Sequence, residues 1–217
     1  MKEPITHFWN KRLNDVSQML AANNFEAYVA ANVMEAKKIV LETILPATGA
    51  KSVSWGGSVT FVESGIYKAL KDNADLDVLD VFEKGLKPEV VLERRRQSLL
   101  VDLYITGTNA VTADGQLVNL DMLGNRIGAI TFGPKHVIIL VGRNKIVSDI
   151  PEAMDRIKAY AAPVNAMRLD KKTPCSKTAT CEECQSPDRI CNTWTITEKS
   201  FPQKRVKVVL INEDLGF

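Results

Sequence analysis

The chain has 217 residues, of which 45% are apolar and 25% are charged, and its formal net charge at pH 7 is +2. This length and apolar content are enough for a globular core, and so small a net charge gives no general attraction to nucleic acid or to a charged membrane. No apolar run approaches the ~20 residues of a membrane span. Residues 1–16 lack the apolar core of a secretory signal, so we expect a cytoplasmic protein.

Runs of strand type alternate with stretches of helical periodicity along most of the chain. A first helix should end at Asn23-Asn24, and Asn32 should cap a second helix over residues 33–45 that stops before Pro46. Further helices are predicted from about residue 60 to 71, over 88–97, and from Asp149-Pro151 to about 161. The predicted strands cover residues 25–30, 51–55, 78–81, 99–106, 136–141 and 206–211.

Two features of residues 99–147 indicate the fold class. Asp114-Gly115 is a strong hairpin signal between flanking residues of strand type. Residues 136–141 form a continuous apolar run, which is typical of a strand buried on both faces of a parallel sheet. We therefore predict an α/β fold with a largely parallel sheet and helices on both faces, and one domain over residues 1–217 with a cysteine-rich excursion at 174–192.

The junction between the strand 51–55 and the following helix carries the sequence Gly56-Gly57-Ser58-Val59-Thr60. Glycines let an anion approach the backbone closely, and the hydroxyls of Ser58 and Thr60 add donors, so this loop suits a phosphate, a carboxylate or a CoA-type ligand. It matches neither a Walker loop nor the dinucleotide motif GxGxxG. The alternative is a tight turn in which Ser58 is only a helix N-cap. Glu63, one turn on, either completes a capping box with Thr60 or faces a pocket as a carboxylate.

Polar residues also follow other predicted strands. Because ligands gather at the carboxyl ends of strands in an open α/β sheet, the loops after three strands should meet at one pocket. The residues that we expect there, besides the Gly-rich loop, are Thr108, Asn109, Asn125, Arg126, Lys135, Asn144 and Lys145. The structural alternative is that Asn109, Asp121 and Asn125 brace the hairpin through hydrogen bonds to the backbone.

All four cysteines lie within 17 residues, in the order Cys175, Cys181, Cys184 and Cys191. Clustered thiols around a CxxC pair can converge on one metal centre, and thiolates select zinc or an iron–sulfur cluster. The spacing matches neither the usual zinc pattern nor the bacterial ferredoxin run, so it does not choose between the metals. The alternative is four thiols with no ligand.

One basic run, Arg94-Arg95-Arg96, follows Glu93. Such runs are usually solvated faces of helices, and this one has no aromatic residues among its basic ones. It therefore does not indicate nucleic-acid binding.

The sequence resembles the LUD-domain family, the lactate utilisation proteins, of which the lactate utilisation protein C group is best known. The resemblance is carried by WGGSVTFVESG at 55–65, by residues 106–147, by the cysteine segment at 174–192 and by EDLGF at 213–217. It implies a fold similar to that of ribose-5-phosphate isomerase, glucosamine-6-phosphate deaminase and the CoA transferases, in which a Gly-rich loop binds phosphate or CoA. It also implies a role in bacterial oxidation of lactate to pyruvate, beside an iron–sulfur subunit and an oxidase-like subunit.

Three functions remain open at this point. The first is an accessory protein of organic-acid oxidation that binds an anionic small molecule and holds an iron–sulfur cluster, a [4Fe–4S] cluster if all four cysteines ligate it. The second is an enzyme of the CoA-transferase or sugar-phosphate-isomerase type, with Glu63 or Asp121 as its catalytic carboxylate. The third is a ligand-sensing module with a structural zinc.

Overall fold

A computed structural model describes residues 2–217, which contain two β-sheets. The larger sheet has six strands in the order β1-β10-β7-β4-β2-β3, and all its neighbouring pairs are parallel. The smaller sheet has the order β8-β5-β6-β9. The strands are β1 (Glu26–Ala30), β2 (Ser52–Trp55), β3 (Asp77–Val78), β4 (Leu103–Gly107), β5 (Ala110–Thr112), β6 (Leu117–Asp121), β7 (His136–Gly142), β8 (Ile146–Val147), β9 (Thr193–Thr197) and β10 (Val206–Ile211).

Helices connect most of these strands. Within residues 2–217, no helix has both the length and the apolar character that a membrane crossing requires. The helices are α1 (Lys2–Ala22), α2 (Val33–Lys38), α3 (Leu45–Thr48), α4 (Val59–Glu63), α5 (Ile66–Lys71), α6 (Pro88–Gln97), α7 (Asn125–Thr131), α8 (Ile150–Arg156), α9 (Ala162–Arg168) and α10 (Cys175–Thr178).

The central strand β7 shows why the larger sheet is buried on both faces. Its side chains alternate between two apolar cores, because successive residues of a strand point to opposite sides. Ile138 and Leu140 pack with α2 to α5, whereas Val137, Ile139 and Val141 pack with α1 and the smaller sheet. The predicted α/β fold, with a mostly parallel sheet between layers of helices, is confirmed.

The smaller sheet forms a further layer beyond the larger one. Val111 and Leu117 of its hairpin face α1 and β7, while Ala110 and Val118 face α8 on the other side. The hairpin turns at Asp114-Gly115, as its sequence predicts, and β9 adds an antiparallel edge to β6. The structure thus has the hairpin packed tightly against the parallel sheet.

Two predicted helix ends are wrong for a common reason. The helix from Val33 does not stop before Pro46 but continues through a π-helical turn, Ile39–Ile44, to Thr48. The helix after Asp149 likewise passes through the π turn Ile157–Ala161 and Pro163, ending at Arg168. In each case the wide turn lies directly before the proline-containing segment, where a missing N–H and a bulky ring would otherwise disturb an α-helix.

Other elements differ in extent. The helix after Ser58 is divided by Gly65, which has a left-handed conformation with φ of 68°. Strand β3 covers only Asp77–Val78, and β4 begins at Leu103 because the chain still turns at residues 99–102. Helix α7 and strand β9 have no counterpart among the predicted elements.

Candidate functional site

A cavity of about 540 Å³ lies at the carboxyl edge of the parallel sheet. Ser58 follows β2, Thr108 and Asn109 follow β4, and Lys145 follows β7, and all four residues line it. The loops after three neighbouring strands therefore meet here, in the way that the strand order requires.

The Gly-rich loop is divided between structural and lining roles. Ser58 accepts a hydrogen bond from the backbone N–H of Phe61 at 3.2 Å and so caps α4. Gly57 lines the cavity, and a Cβ added there would meet no atom within 4 Å. Gly56 does not line it. A Cβ at Gly56 would lie 2.6 Å from the hydroxyl of Tyr104, so this glycine allows the close packing of that side chain. The loop thus offers space at Gly57, while its serine is engaged with the helix.

Arg126 is the best-connected side chain of the cavity wall. It is 8% exposed and donates to Asp121 Oδ1 at 3.1 Å, to Asn109 Oδ1 at 2.7 Å and to the carbonyls of Gly107 and Leu120. Asn109 also accepts from the N–H of Leu120. Asn109 therefore braces the hairpin through the backbone, as the structural alternative supposed, whereas the Asp121 side chain is held by Arg126; both line the cavity, as does Asn125.

Lys145 is held in a short 3₁₀ turn, Arg143–Lys145, and is 4% exposed. Its Nζ lies 2.9 Å from Thr60 Oγ1 and 3.4 Å from the carbonyl oxygen of Thr108. Burial above all, together with the guanidiniums of Arg156 and Arg126 and against an opposing effect of Glu63, lowers the pKa of Lys145 to about 7. The cavity thus contains an amine that is partly neutral near pH 7.

Three of the expected ligand or catalytic residues instead hold the segment Leu215–Phe217. Glu63 is exposed and its Oε2 accepts from the N–H of Gly216 at 2.9 Å, so it neither caps α4 nor lines the cavity. Thr60 donates to the carbonyl of Leu215 at 3.1 Å, and Asn144 bonds the N–H of Leu215 and the carbonyl of Gly216. This segment brings the Phe217 ring to the cavity wall.

Lys135 lies at the opposite edge of the sheet. It precedes β7, and parallel strands place preceding and following residues at opposite edges. Its Nζ pairs with Asp102 Oδ1 at 2.9 Å, just before β4. This bond, followed by those from the backbone of Lys51 and Ser52, holds the pKa of Asp102 well below its usual range. The expectation that Lys135 joins the pocket is therefore not met.

Three cations at the cavity were not among the expected residues. Arg95 lies on α6, Arg168 ends α9, and Lys171 follows that helix. The interpretation of Arg94-Arg95-Arg96 as a solvated run holds for Arg96, which is exposed and paired with Glu93, but not for Arg95. No local motif marks these residues, because only the packing of α6 and α9 brings them to the sheet edge.

The cavity is strongly biased towards positive charge. Its lining contains five basic residues, Arg95, Arg126, Lys145, Arg168 and Lys171, and a single acidic one, Asp121, which is paired with Arg126. Apolar walls complete it, formed by Val81, Phe82, Leu120, Ile190 and Phe217 among others. Such a lining suits a small anion with an apolar or uncharged body.

The four cysteines line a second, smaller cavity, and Ile190 borders both cavities. All four are free thiols, and Arg189 ties their segment together by donating to the carbonyls of Cys184 and Cys191. Burial, with the nearby thiols of Cys181 and Cys184, raises the pKa of the Cys191 thiol. Within residues 2–217, no three Cys, His, Asp or Glu side chains already stand in a metal-binding arrangement.

The fold and cavity define an α/β protein with a cationic site at the carboxyl edge of a parallel sheet. The family profile of the LUD domain matches residues 13–211, and the chain belongs to this family. A crystal structure of a DUF162 family protein from Deinococcus radiodurans is 15% identical, with a TM-score of 0.45, over 97% of this chain and 98% of that chain. A comparison with curated proteins found no match.

Proposed function

We propose that this LUD-domain protein binds a small organic anion, a carboxylate or a phosphate, at the cavity. The observation that carries the proposal is the excess of five basic lining residues over one acidic residue that is already paired. Buried or half-buried cations attract an anion more strongly than surface cations do, because solvent screens them less. The resemblance of the family to lactate utilisation proteins supports a role in organic-acid oxidation, beside iron–sulfur and oxidase-like subunits.

Binding is tested by titration calorimetry with lactate, pyruvate, inorganic phosphate and acetyl-CoA. We expect Arg95→Gln to weaken binding of the best of these about tenfold or more, since a charge-assisted hydrogen bond contributes about 1.5–3 kcal/mol. Arg96→Gln is the matched control, because Arg96 is next to Arg95 on α6 but does not line the cavity. Equal effects of the two variants, or no binding of any compound up to the millimolar range, would contradict the proposal.

The two carboxylates considered as enzyme nucleophiles receive little support from this geometry. Glu63 does not line the cavity and holds Gly216, and one oxygen of Asp121 is bonded to Arg126. A transferase mechanism through either carboxylate is therefore not what we propose.

We propose, as a second function, that the four cysteines hold a metal centre. The supporting observation is that Cys175, Cys181, Cys184 and Cys191 line one small cavity, where their soft sulfur atoms fit zinc or an iron–sulfur cluster. Binding a metal would require these side chains to move, since they are not arranged as ligands in the structure. Such a centre would lie next to the ligand cavity, separated from it by Ile190.

Metal and sulfide analysis of protein purified without oxygen tests this centre. About four irons and four sulfides per chain, with a brown colour, would indicate a [4Fe–4S] cluster and electron transfer. About one zinc and no colour would indicate a structural site and favour a sensing module. We expect Cys184→Ser to lower the metal content severalfold, while Ser186→Ala, a neighbouring change outside the thiol set, leaves it unchanged. Metal-free protein would overturn the proposal.

A further inference from the structure

Lys145 differs from Lys171, the other lysine of the cavity lining, in how its amine is held. A neutral amine has two N–H groups and one lone pair. Two acceptors, Thr60 Oγ1 and the carbonyl oxygen of Thr108, stand at hydrogen-bonding distance from Nζ. Both N–H groups can thus be engaged by the protein, which leaves the lone pair for a third direction.

No carboxylate neutralises this amine. Lys145 makes no ion pair within residues 2–217, and Glu63, which acts on it from α4, is bonded to Gly216. The charged groups that face it from the other packed helices are guanidiniums, Arg126 on α7 and Arg156 on α8. Together with burial, these cations disfavour the ammonium form, which is the form without a lone pair.

The surroundings of the amine suit a ligand with two functional groups. Lys145 lines the same cavity as Arg95, Arg168 and Lys171, which can take an anionic group. A Cβ at Gly216 would lie 3.3 Å from Nζ, so the segment Leu215–Phe217 closes one side of the amine. A bound anion would therefore be confined beside a nucleophile that solvent reaches poorly.

We propose that Lys145 is a nucleophilic amine that forms an imine with a small carbonyl compound carrying a carboxylate or a phosphate, an inference that rests on the proposed anion binding. The Nζ lone pair attacks the carbonyl carbon, and the π electrons of the C=O bond move to oxygen. The two hydrogens of the amine then leave with that oxygen as one water, and a C=N bond remains. No oxidant or reductant is required.

Reductive trapping of the full-length protein tests this proposal. Pyruvate and glyceraldehyde 3-phosphate are each added with sodium cyanoborohydride, which reduces an imine to a stable secondary amine, and the modified lysine is located by peptide mass spectrometry. We expect about one adduct per chain, at Lys145. Trapping of pyruvate alone indicates a keto acid as the natural ligand, and trapping of the phosphate alone indicates a sugar phosphate.

The pH profile distinguishes Lys145 from surface lysines. With its pKa at about 7, the rate of trapping should rise on the order of tenfold between pH 6 and 8 and then level off. Surface lysines, with a pKa near 10.4, should continue to react faster above pH 8. A rate at Lys145 that keeps rising above pH 8 would overturn the proposal.

Lactate and glycerol 3-phosphate separate failure of this inference from failure of the proposed function, because they carry the anionic groups without a carbonyl. Binding of either compound, with no adduct at Lys145, overturns the imine alone. Absence of both binding and adducts overturns both proposals.

Two kinds of variant complete the test. Lys145→Met should abolish the adduct. If that variant does not fold, Arg95→Gln should still slow trapping about tenfold, while Arg96→Gln leaves the rate unchanged. Equal trapping in both arginine variants would overturn the proposal.

Discussion

Replacing Arg126 with methionine is expected to lower the free energy of unfolding by about 3–5 kcal/mol, the range for losing one partner of a buried ion pair. Methionine fills much of the same volume but leaves the carboxylate of Asp121, whose side chain is 13% exposed, without its cation. It also removes the donor to Asn109 and to the carbonyls of Gly107 and Leu120. Urea unfolding monitored by circular dichroism measures the change.

Two comparisons separate the stabilising effect of this hydrogen-bond network from the effect of simply removing a charge. Arg168→Met removes an exposed cation of the same cavity and should change stability by no more than about 0.5 kcal/mol. In an Asp121→Asn background, the effect of Arg126→Met should be smaller, because no unpaired charge then remains. If Arg126→Met proves as mild as Arg168→Met, the network does not stabilise the fold.

Replacing Gly115 with valine should be about as damaging, by about 3–5 kcal/mol. The residue has φ of 75°, and a Cβ there would lie 2.7 Å from the backbone N of Leu20 and 2.8 Å from the carbonyl carbon of Met19. A β-branched side chain is strained at positive φ, and its contact with the rigid backbone of α1 adds an overpacking cost. Thermal and urea unfolding measure the loss.

Substitutions at two other glycines separate the cost of backbone strain from the cost of the steric contact with α1. Gly85 has φ of 82° but open space around a Cβ, so Gly85→Val carries the backbone strain alone. Gly57 has open space and no positive φ, so Gly57→Val should be nearly neutral for stability. We expect the order Gly115→Val, Gly85→Val, Gly57→Val from most to least destabilising. A Gly115 variant no worse than Gly85→Val would show that the hairpin turn does not press on α1.

The elements that follow from local patterns could be predicted from the sequence. The apolar run of β7 predicts burial on both faces, and Asp114-Gly115 predicts the hairpin. Asn32 and Asp149 each cap a helix as expected, and Ser58 caps α4 as the alternative for its loop supposed. These signals work because a cap, a turn or a buried strand is decided within a few residues.

The missed elements depend on contacts or on unusual turns. Pro46 predicts a helix end by a local rule, which the preceding π turn makes inapplicable. The helix after Asp149 likewise continues beyond its predicted end through a π turn. Helix α7 begins after Gly124 without a side-chain cap, and β9 forms an edge by pairing with β6. Propensity is a weak guide where tertiary pairing decides the conformation.

The residues of the candidate site fall into the same two groups, those placed by a local rule and those placed by packing. The rule that ligands gather at strand ends brings Ser58, Thr108 and Lys145 together, because it depends only on strand order and direction. The same rule misplaces Lys135 when a residue before a strand is treated like one after it. Arg95 and Arg168 reach the cavity from helices, and no spacing in the sequence reports how those helices pack.

The position of β10 in the sheet also has a consequence for biosynthesis. Residues 206–211 lie between β1 and β7, so two early strands remain without their shared neighbour until this late segment leaves the ribosome. The 69 residues that follow Gly142, up to Ile211, take about 3–14 s to synthesise at ~5–20 residues per second. During that interval the nascent chain exposes open strand edges, which are templates for aggregation. Chaperones are therefore most useful to this protein before β10 is made.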